Sequence, residues 1–191
     1  MGMAQEAKIR TFLALPLAPS FEAEVTPLIE KLRREYPEVK WVSPSQIHVT
    51  LHFFGSITVD TVRLISECAA RAIRLGRPLS LFLSEIGGFP NIAHPRVIWL
   101  GMGGETEKLK SLQASLEQEL KKEGFECEER SFKPHLTLGR IKEARGFRGF
   151  KPFGFGPTAT KKITEIVLFQ SHLLPGGAAY ETIATYPLSA A

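Results

Sequence analysis

A four-residue pattern, His-x-Thr-Leu, occurs twice in this chain and contains the side chains best suited to chemistry. It places His48 and Thr50 in the first half of the sequence and His135 and Thr137 in the second half. In an extended strand, residues i and i+2 point to the same face, so each histidine shares a face with its threonine. Imidazole exchanges a proton near neutral pH, and the hydroxyl group is a neutral donor beside it. Two such strands could direct both pairs into one cleft.

Two opposed histidines are sufficient to open a phosphodiester ring. One takes a proton from the attacking water, and the other protonates the leaving oxygen on the far side of phosphorus. Hydroxyl groups and an arginine then hold the phosphate oxygens, a role for which Thr50 and Thr137 are suited. The sequence has no HExxH, carboxylate cluster or P-loop near either motif, so neither a metal nor another cofactor is predicted. One such motif alone is more typical of a half-buried structural histidine, but two copies among only five histidines favour catalysis.

The elements that must position these residues follow from hydrophobic periodicity. Strands are predicted over residues 9–17, 47–54, 79–86, 96–100, 132–141, 163–169 and 179–186, and helices over 20–36, 58–75 and 105–123. Neighbouring strands late in the chain indicate hairpins, and therefore an α+β fold rather than a parallel doubly wound sheet. The repeated motif predicts two pseudo-symmetric lobes, each an antiparallel sheet backed by helices, around a central cleft.

Composition limits the class of protein. The chain has 191 residues, of which 43% are hydrophobic, and this fits one large domain or two small lobes. No apolar run approaches the length of a membrane span, and no signal peptide is predicted. Its two cysteines, Cys68 and Cys127, have no metal-ligand spacing, which favours free thiols in a reducing cytoplasm. Nothing in the sequence demands an oligomer, so a monomer is expected.

Positive charge is concentrated around the second motif. The net charge is +4, and residues 130–162 contain nine Lys or Arg and one acidic residue. Such a stretch is either a solvated basic face or a surface that attracts a phosphate-rich partner. Within it, residues 145–157 (RGFRGFKPFGFGP) predict a long loop. Its phenylalanines could stack on bases, but for at least two of them packing against the core is the favoured interpretation.

Several segments in the same order carry a family resemblance. They are RTFLALPL at 10–17, WVSPSQIHVTLHFFG at 41–55, FPNIAHPRVIWLG at 89–101, FKPHLTLGR at 132–140 and LFQSHLLPGGAAY at 168–180. The two motifs resemble the paired HxTx signatures of the 2H phosphoesterase superfamily. The whole chain is similar to its RNA 2′,3′-cyclic phosphodiesterase branch, historically named 2′-5′ RNA ligase.

The resemblance implies a single two-lobed domain over residues 1–191 and a metal-independent hydrolase. It implies hydrolysis of RNA 2′,3′-cyclic phosphate ends to 2′-phosphates, with weak reverse 2′-5′ ligation. By the same resemblance, His48 is the proton donor and His135 the proton acceptor, while Thr50 and Thr137 bind phosphate oxygens. The implied partner is RNA or an oligonucleotide with a cyclic phosphate end; tRNA fragments and small cyclic nucleotides carry the same ring.

Arg140 occupies a position where this family often has a substrate-contacting arginine. Strand alternation points it away from His135, so only a bulge or strand end near Gly139 would turn it toward the phosphate. His52 shares a face with His48 by alternation and could line the mouth of the cleft, but a surface position with no catalytic role is the favoured interpretation. For His172 a structural hydrogen bond is expected.

Two other functions fit parts of the sequence. A non-catalytic RNA-binding module would use the basic Phe/Gly-rich loop, but binding alone does not require two proton-transfer groups. An ATP-dependent ligase would use Lys151 in the KxxG tetrapeptide at 151–154, which has no further support in the sequence.

Overall fold

Nine strands and three helices make up the secondary structure of the described residues. This computed structural model describes residues 7–74, 76–128, 130–141, 149–151, 154–175 and 177–189. The strands are β1 (Lys8–Pro16), β2 (Lys40–Trp41), β3 (His48–Thr58), β4 (Leu79–Phe89), β5 (Val97–Gly104), β6 (His135–Arg140), β7 (Lys161–Ile163), β8 (Glu165–Leu174) and β9 (Gly177–Pro187). The helices are α1 (Ala18–Glu35), α2 (Val59–Ile73) and α3 (Thr106–Lys122), and a 3-10 turn spans Pro44–Gln46.

The strands form two antiparallel sheets, and each sheet carries one of the two motifs. The first sheet has the order β3-β1-β8-β9, and the second has the order β2-β6-β5-β4-β7. Helix α2 contacts β3 and β9 of the first sheet, whereas α1 contacts β7 and α3 contacts β4 of the second. Strand β3 at the edge of the first sheet approaches β6 of the second. The predicted α+β class with two antiparallel sheets is confirmed.

The local signals in the sequence explain most of these elements. In β1, residues 11–15 are all buried, because β3 and β8 flank the strand and both of its faces are covered. Helix α2 begins after Thr58, whose side-chain oxygen accepts a hydrogen bond from the backbone N–H of Thr61 at 3.3 Å. Its buried stripe includes Val62, Ile65 and Ala69, as the helical period predicts.

The predicted end of the first motif strand at Gly55 is wrong. Strand β3 continues through Gly55 to Thr58. Gly55 has φ of 70° and lies where the pairing of β1 with β3 shifts register, so it accommodates a bulge within the strand. The edge strands β2 and β7 were not predicted, because two or three residues are too few to show a period.

The segment 145–157 is described only at residues 149–151 and 154–157, and Phe147 and Phe153 lie outside the described residues. Phe150 is buried, and its ring lies 5.0 Å from that of Tyr36. Phe155 packs half-buried against the core. Both described phenylalanines therefore attach this segment to the core, as the favoured interpretation expected. No helix within the described ranges is long and apolar enough to cross a membrane.

Candidate active site

The two motif histidines are anchored in the same way in the two sheets. His48 is the first residue of β3, and its Nδ1–H donates to the carbonyl oxygen of Gln46 at 2.8 Å. His135 is the first residue of β6, and its Nδ1–H donates to the carbonyl oxygen of Lys133 at 2.7 Å. A carbonyl oxygen can only accept, so Nδ1 carries the proton in both neutral rings. In each ring, Nε2 is then the nitrogen that can take a proton.

Local chain geometry sets both anchors. The 3-10 turn at Pro44–Gln46 directs the Gln46 carbonyl back toward His48, and the Gln46 side-chain Nε2 donates to the carbonyl of Ala178 in β9 at 2.8 Å. In the second motif, Pro134 follows Lys133, and a residue before proline favours an extended backbone. Each anchoring carbonyl therefore belongs to a segment whose conformation is restricted.

Aromatic side chains from the first sheet surround His48. Ring centroids of Phe12 and Tyr180 lie 4.9 Å and 5.3 Å from the imidazole, and Phe169 stacks on Phe12 at 5.4 Å. This burial lowers the pKa of His48 because it disfavours the imidazolium form. The hydrogen bond to Gln46 opposes the shift, whereas the nearby charges of Arg140 and His135 add to it.

His135 has a matching aromatic environment from the second sheet. Phe89 lies edge-on to its ring at 5.1 Å, and the ring of Trp99 is 6.3 Å away. Burial lowers the pKa of His135 as well, the bond to the Lys133 carbonyl opposes this shift, and Arg140 lowers the pKa further. Both histidines therefore favour the neutral form in the ligand-free protein.

A bulge in β6 determines the direction of Arg140. Thr137 pairs with Trp99 of β5, but Gly139 pairs with Ile98, so Leu138 is an extra residue in the pairing. This irregularity breaks the alternation that would have turned Arg140 away from His135. The positive charge of Arg140 lowers the pKa of both motif histidines and partly offsets the burial-raised pKa of Tyr180. Arg140 is thus the exposed charge shared by the two halves of the site.

The motif threonines flank the histidines. Thr50 is exposed and pairs with Ala14 of β1, whereas Thr137 is half-buried opposite Trp99. Thr50 of the first motif and His135 of the second line a cavity of about 910 Å³, whereas His48 and Thr137 are not among its lining residues. Phe89, Lys133 and Glu117 line the same cavity.

His52 does not continue the alternation of His48 and Thr50. A register shift leaves Leu51 as an extra residue, so that Thr50 pairs with Ala14 and His52 with Leu13. The His52 ring lies 4.5 Å from that of Phe54. Burial lowers the pKa of His52, and the nearby charges of Glu117 and Glu128 offset part of this shift. His52 nevertheless lines the cavity and is half-buried, which fits the cleft-mouth alternative rather than the favoured surface position.

The remaining candidates lie elsewhere. His172 Nε2 is 3.0 Å from an oxygen of Glu181 in the β8–β9 hairpin, which is the structural hydrogen bond expected for it. Lys151 is exposed, and its backbone N–H donates to the Tyr36 hydroxyl at 3.2 Å.

Sequence reasoning missed three contributors to the site: Gln46, Phe89 and Tyr180. Each belongs to a segment that carries the family resemblance, but no periodicity links them to a histidine. Tyr180 reaches His48 only because β8 and β9 return to the first sheet late in the chain.

Comparisons of the sequence and of the structure with known proteins match this chain to one superfamily. The family model of the 2′-5′ RNA ligase superfamily matches residues 19–170. An RNA 2′,3′-cyclic phosphodiesterase from Methanothermobacter thermautotrophicus is 32% identical over 186 residues, covering 95% of this chain and all of the relative. One from Thermotoga maritima is 30% identical, covering 92% of this chain and 93% of the relative. The crystal structure of a protein from Thermus thermophilus, TT0787, superposes with a TM-score of 0.82 at 27% identity, covering 95% of this chain and 99% of that one.

Proposed function

Because the chain belongs to the 2′-5′ RNA ligase superfamily, we propose that it is an RNA 2′,3′-cyclic phosphodiesterase that works by two-histidine acid–base catalysis. Its curated relatives of matching length carry that activity in their names. The reaction opens the cyclic phosphate at an RNA end and leaves a 2′-phosphate and a free 3′-hydroxyl group. With the 5′-hydroxyl group of a second RNA in place of water, the same attack on the cyclic phosphate, with departure of the 3′ oxygen, would give weak 2′-5′ ligation.

The observation that carries the proposal is the matched anchoring of His48 and His135. Each ring is fixed through Nδ1 to a carbonyl oxygen, at 2.8 Å and 2.7 Å respectively, and each offers Nε2 for proton transfer. They come from different sheets, which would allow them to stand on opposite sides of phosphorus, as the base and acid of an in-line displacement must. A module that only binds RNA needs no such pair.

Two proton transfers accompany the exchange of bonds at phosphorus. Nε2 of His135 takes a proton from water as the water oxygen forms a bond to phosphorus. The bond from phosphorus to the 3′ oxygen breaks, and Nε2–H of His48 gives its proton to that oxygen. His135 ends protonated and His48 neutral, and exchange with solvent resets both rings. Each well-placed proton transfer contributes about 10²- to 10⁴-fold to the rate.

Arg140, Thr50 and Thr137 would hold the non-bridging phosphate oxygens. Arg140 is close enough to both histidines to lower their pKa values, so a phosphate between the rings would lie within reach of its charge. Its guanidinium group provides parallel donors that match two phosphate oxygens. Charge that grows on those oxygens in the transition state would be stabilised by these preset donors.

The donor and acceptor roles follow from the family resemblance, since the two anchors are nearly equivalent. The position of the product phosphate reports which substrate oxygen leaves phosphorus in the assigned arrangement. If His135 activates water and His48 protonates the 3′ oxygen, the product is the 2′-phosphate. Exchanged positions of the substrate oxygens would yield the 3′-phosphate instead.

The decisive experiment is hydrolysis of a defined RNA with a 2′,3′-cyclic phosphate end in the presence of a chelator. We expect turnover to the 2′-phosphate, identified by chromatography against both isomers. A 3′-phosphate as main product would overturn the assigned geometry. RNA binding without any turnover would favour the non-catalytic binding module, and loss of turnover with chelator would overturn metal independence.

We further propose that the chain acts as one two-lobed domain and as a monomer in the cytoplasm. In support of one domain, β8 and β9 return to the first sheet after β4 to β7 have built the second. The chain therefore cannot be cut into two sequential halves. tRNA fragments with cyclic phosphate ends are the substrates we would test first, and a nucleoside 2′,3′-cyclic phosphate is the minimal one.

A further inference from the structure

A mixed cluster of histidine, carboxylate and thiol lies beside the catalytic opening and has no role in the proposed reaction. It consists of His52 on β3, Glu117 on α3, and Cys127 in the segment that follows α3. One ligand atom from each residue lies within 4.8 Å of the other two. In the described part of the chain, no other three His, Cys, Asp or Glu side chains gather in this way.

These distances are close to those of a metal site. In tetrahedral zinc sites the bonds are about 2.3 Å to sulfur and about 2.0–2.2 Å to nitrogen and oxygen, so neighbouring ligand atoms lie roughly 3.3–3.6 Å apart. Small rotations of the Glu117 side chain and of the segment around Cys127 would close the remaining gap. The three elements already meet, because Cys127 Sγ lies 3.7 Å from the backbone carbonyl of Glu117.

The surroundings orient the cluster as the outer shell of a metal site does. Nε2 of Gln113, one turn earlier on α3, donates to Oε1 of Glu117 at 2.7 Å. Gln113 is only 6% exposed, so this bond fixes the carboxylate from the buried side. The aromatic ring of Phe54 packs against His52 at 4.5 Å and limits its rotation. Such outer partners commonly change metal affinity by about 10- to 100-fold.

We propose that His52, Glu117 and Cys127 bind Zn²⁺ through imidazole nitrogen, carboxylate oxygen and thiolate sulfur, with water as the fourth ligand. A mixed nitrogen, oxygen and sulfur set suits zinc, whereas Mg²⁺ and Ca²⁺ prefer oxygen ligands alone. Zinc binding would release the thiol proton to solvent. The proposal does not rest on the phosphodiesterase activity, and the ion takes no part in the proton transfers.

The site would connect the two motif strands. His52 lies on the strand that begins with His48, and Cys127 lies in the segment that leads to His135. His52 and Glu117 also line the cavity that Thr50 and His135 share. An ion held there would fix both edges of the opening, and it would stabilise the folded protein because the unfolded chain binds it more weakly.

The test is metal binding by the full chain without an affinity tag. We expect the chelator-treated protein to bind one equivalent of Zn²⁺ in a calorimetric titration. We also expect its Tm to rise when Zn²⁺ is added. We expect Co²⁺ to give a sulfur-to-metal charge-transfer band that one equivalent of Zn²⁺ removes. The variants Cys127→Ser and Glu117→Gln should lose the Tm increase, and Cys127→Ser should also lose the charge-transfer band. Gln113→Ala should weaken binding by about 10- to 100-fold.

Two controls separate this site from other thiols and imidazoles. Cys68→Ser removes the other cysteine, and His172→Ala removes a histidine of the β8–β9 hairpin; both should bind like the parent protein. Tm values of all variants without metal show whether each is folded. Absence of binding in the folded parent protein would overturn the proposal. An unchanged Co²⁺ band in Cys127→Ser would also overturn it. Activity in chelator reports separately on the proposed phosphodiesterase, so failure of one proposal is distinguishable from failure of the other.

Discussion

His48 and His135 are related by the same hydrogen bond in two different sheets. In both, Nδ1–H donates to the carbonyl oxygen of the residue two positions earlier, at 2.8 Å and 2.7 Å. Both also have aromatic side chains against the ring, and burial lowers the pKa of both. The repeated motif therefore repeats an environment as well as a spacing, and it supplies one anchored histidine from each sheet.

Replacing either histidine should remove most of the activity. We expect His48→Ala and His135→Ala each to lower kcat by about 10²- to 10⁴-fold on a cyclic-phosphate RNA, because each removes one proton transfer. The double variant should lose much less than the product of the two effects, because the residues act as a unit. His172→Ala is the matched control and should retain parental kcat. Wild-type turnover in either single variant would contradict the mechanism.

The pH dependence follows from the direction of the two pKa shifts. The proposed mechanism needs His48 charged and His135 neutral, and burial lowers both pKa values below the ordinary 6.5. We therefore expect kcat/KM to fall as pH rises from about 6.5 to about 8.5, by up to about tenfold per unit, since ever less imidazolium remains. The falling limb of the kcat profile should lie at higher pH than the falling limb of kcat/KM, because a bound phosphate anion stabilises His48 in its charged form. A constant kcat/KM over this range would show that His48 does not act as the charged proton donor.

Arg140 should affect both substrate binding and the pH profile. We expect Arg140→Gln to lower kcat/KM by roughly 10- to 100-fold, the range for loss of a charge-assisted hydrogen bond. The same change removes a charge that lowers both histidine pKa values, so the falling limb should shift to higher pH. Arg140→Lys keeps the positive charge, so the falling limb should stay at the parental pH. It should recover only part of kcat/KM, because lysine lacks the planar guanidinium group that binds two phosphate oxygens. If Arg140 had no part in the site, the falling limb would stay at the parental pH in Arg140→Gln as well as in Arg140→Lys.

The anchor of His48 gives a prediction about positioning. The backbone carbonyl oxygen of Gln46 accepts a hydrogen bond from His48, and the side-chain Nε2 of Gln46 donates one to the backbone carbonyl of Ala178 in β9. Gln46→Ala removes the bond to β9 and loosens the turn that presents the carbonyl oxygen. We expect kcat to fall by roughly 3- to 10-fold, the effect of losing about one neutral hydrogen bond, with KM nearly unchanged. Gln46→Glu cannot donate that bond and should behave like Gln46→Ala; a parental kcat in both variants would show that the bond does not position His48.

The sequence was sufficient to predict the α+β class, because the elements with clear periods are long. The stripe of Val62, Ile65 and Ala69 on α2 and the buried run in β1 are local signals. Which strands become neighbours was not predictable, because the first strand of the chain pairs with one near its end. That pairing is decided by packing of distant segments, which a single sequence does not display.

The positions of site residues could be predicted where they depend on sequence spacing along a strand. They could not be predicted where they depend on the presence of a bulge. Alternation places His48 with Thr50, and His135 with Thr137, on one face of a strand. The extra residue Leu51 then changes the position of His52, and an extra residue in β6 turns the strand end near Gly139. A bulge arises from pairing with a neighbouring strand, so the strand's own sequence does not reveal it.

A close contact behind the second motif should link stability to activity. A Cβ atom added at Gly87 would overlap the ring of Trp99, which lies 6.3 Å from the ring of His135. Gly87→Ala must therefore displace the indole, and we expect a loss of about 1–3 kcal/mol in the free energy of unfolding, measured with urea. The displaced Trp99 should disturb His135, so kcat should also fall. Gly154→Ala is the matched control: nothing lies within 4 Å of its added Cβ atom, and we expect a change within about 0.5 kcal/mol and parental kcat. Equal stability of the two variants would show that Trp99 is not held against the backbone of β4.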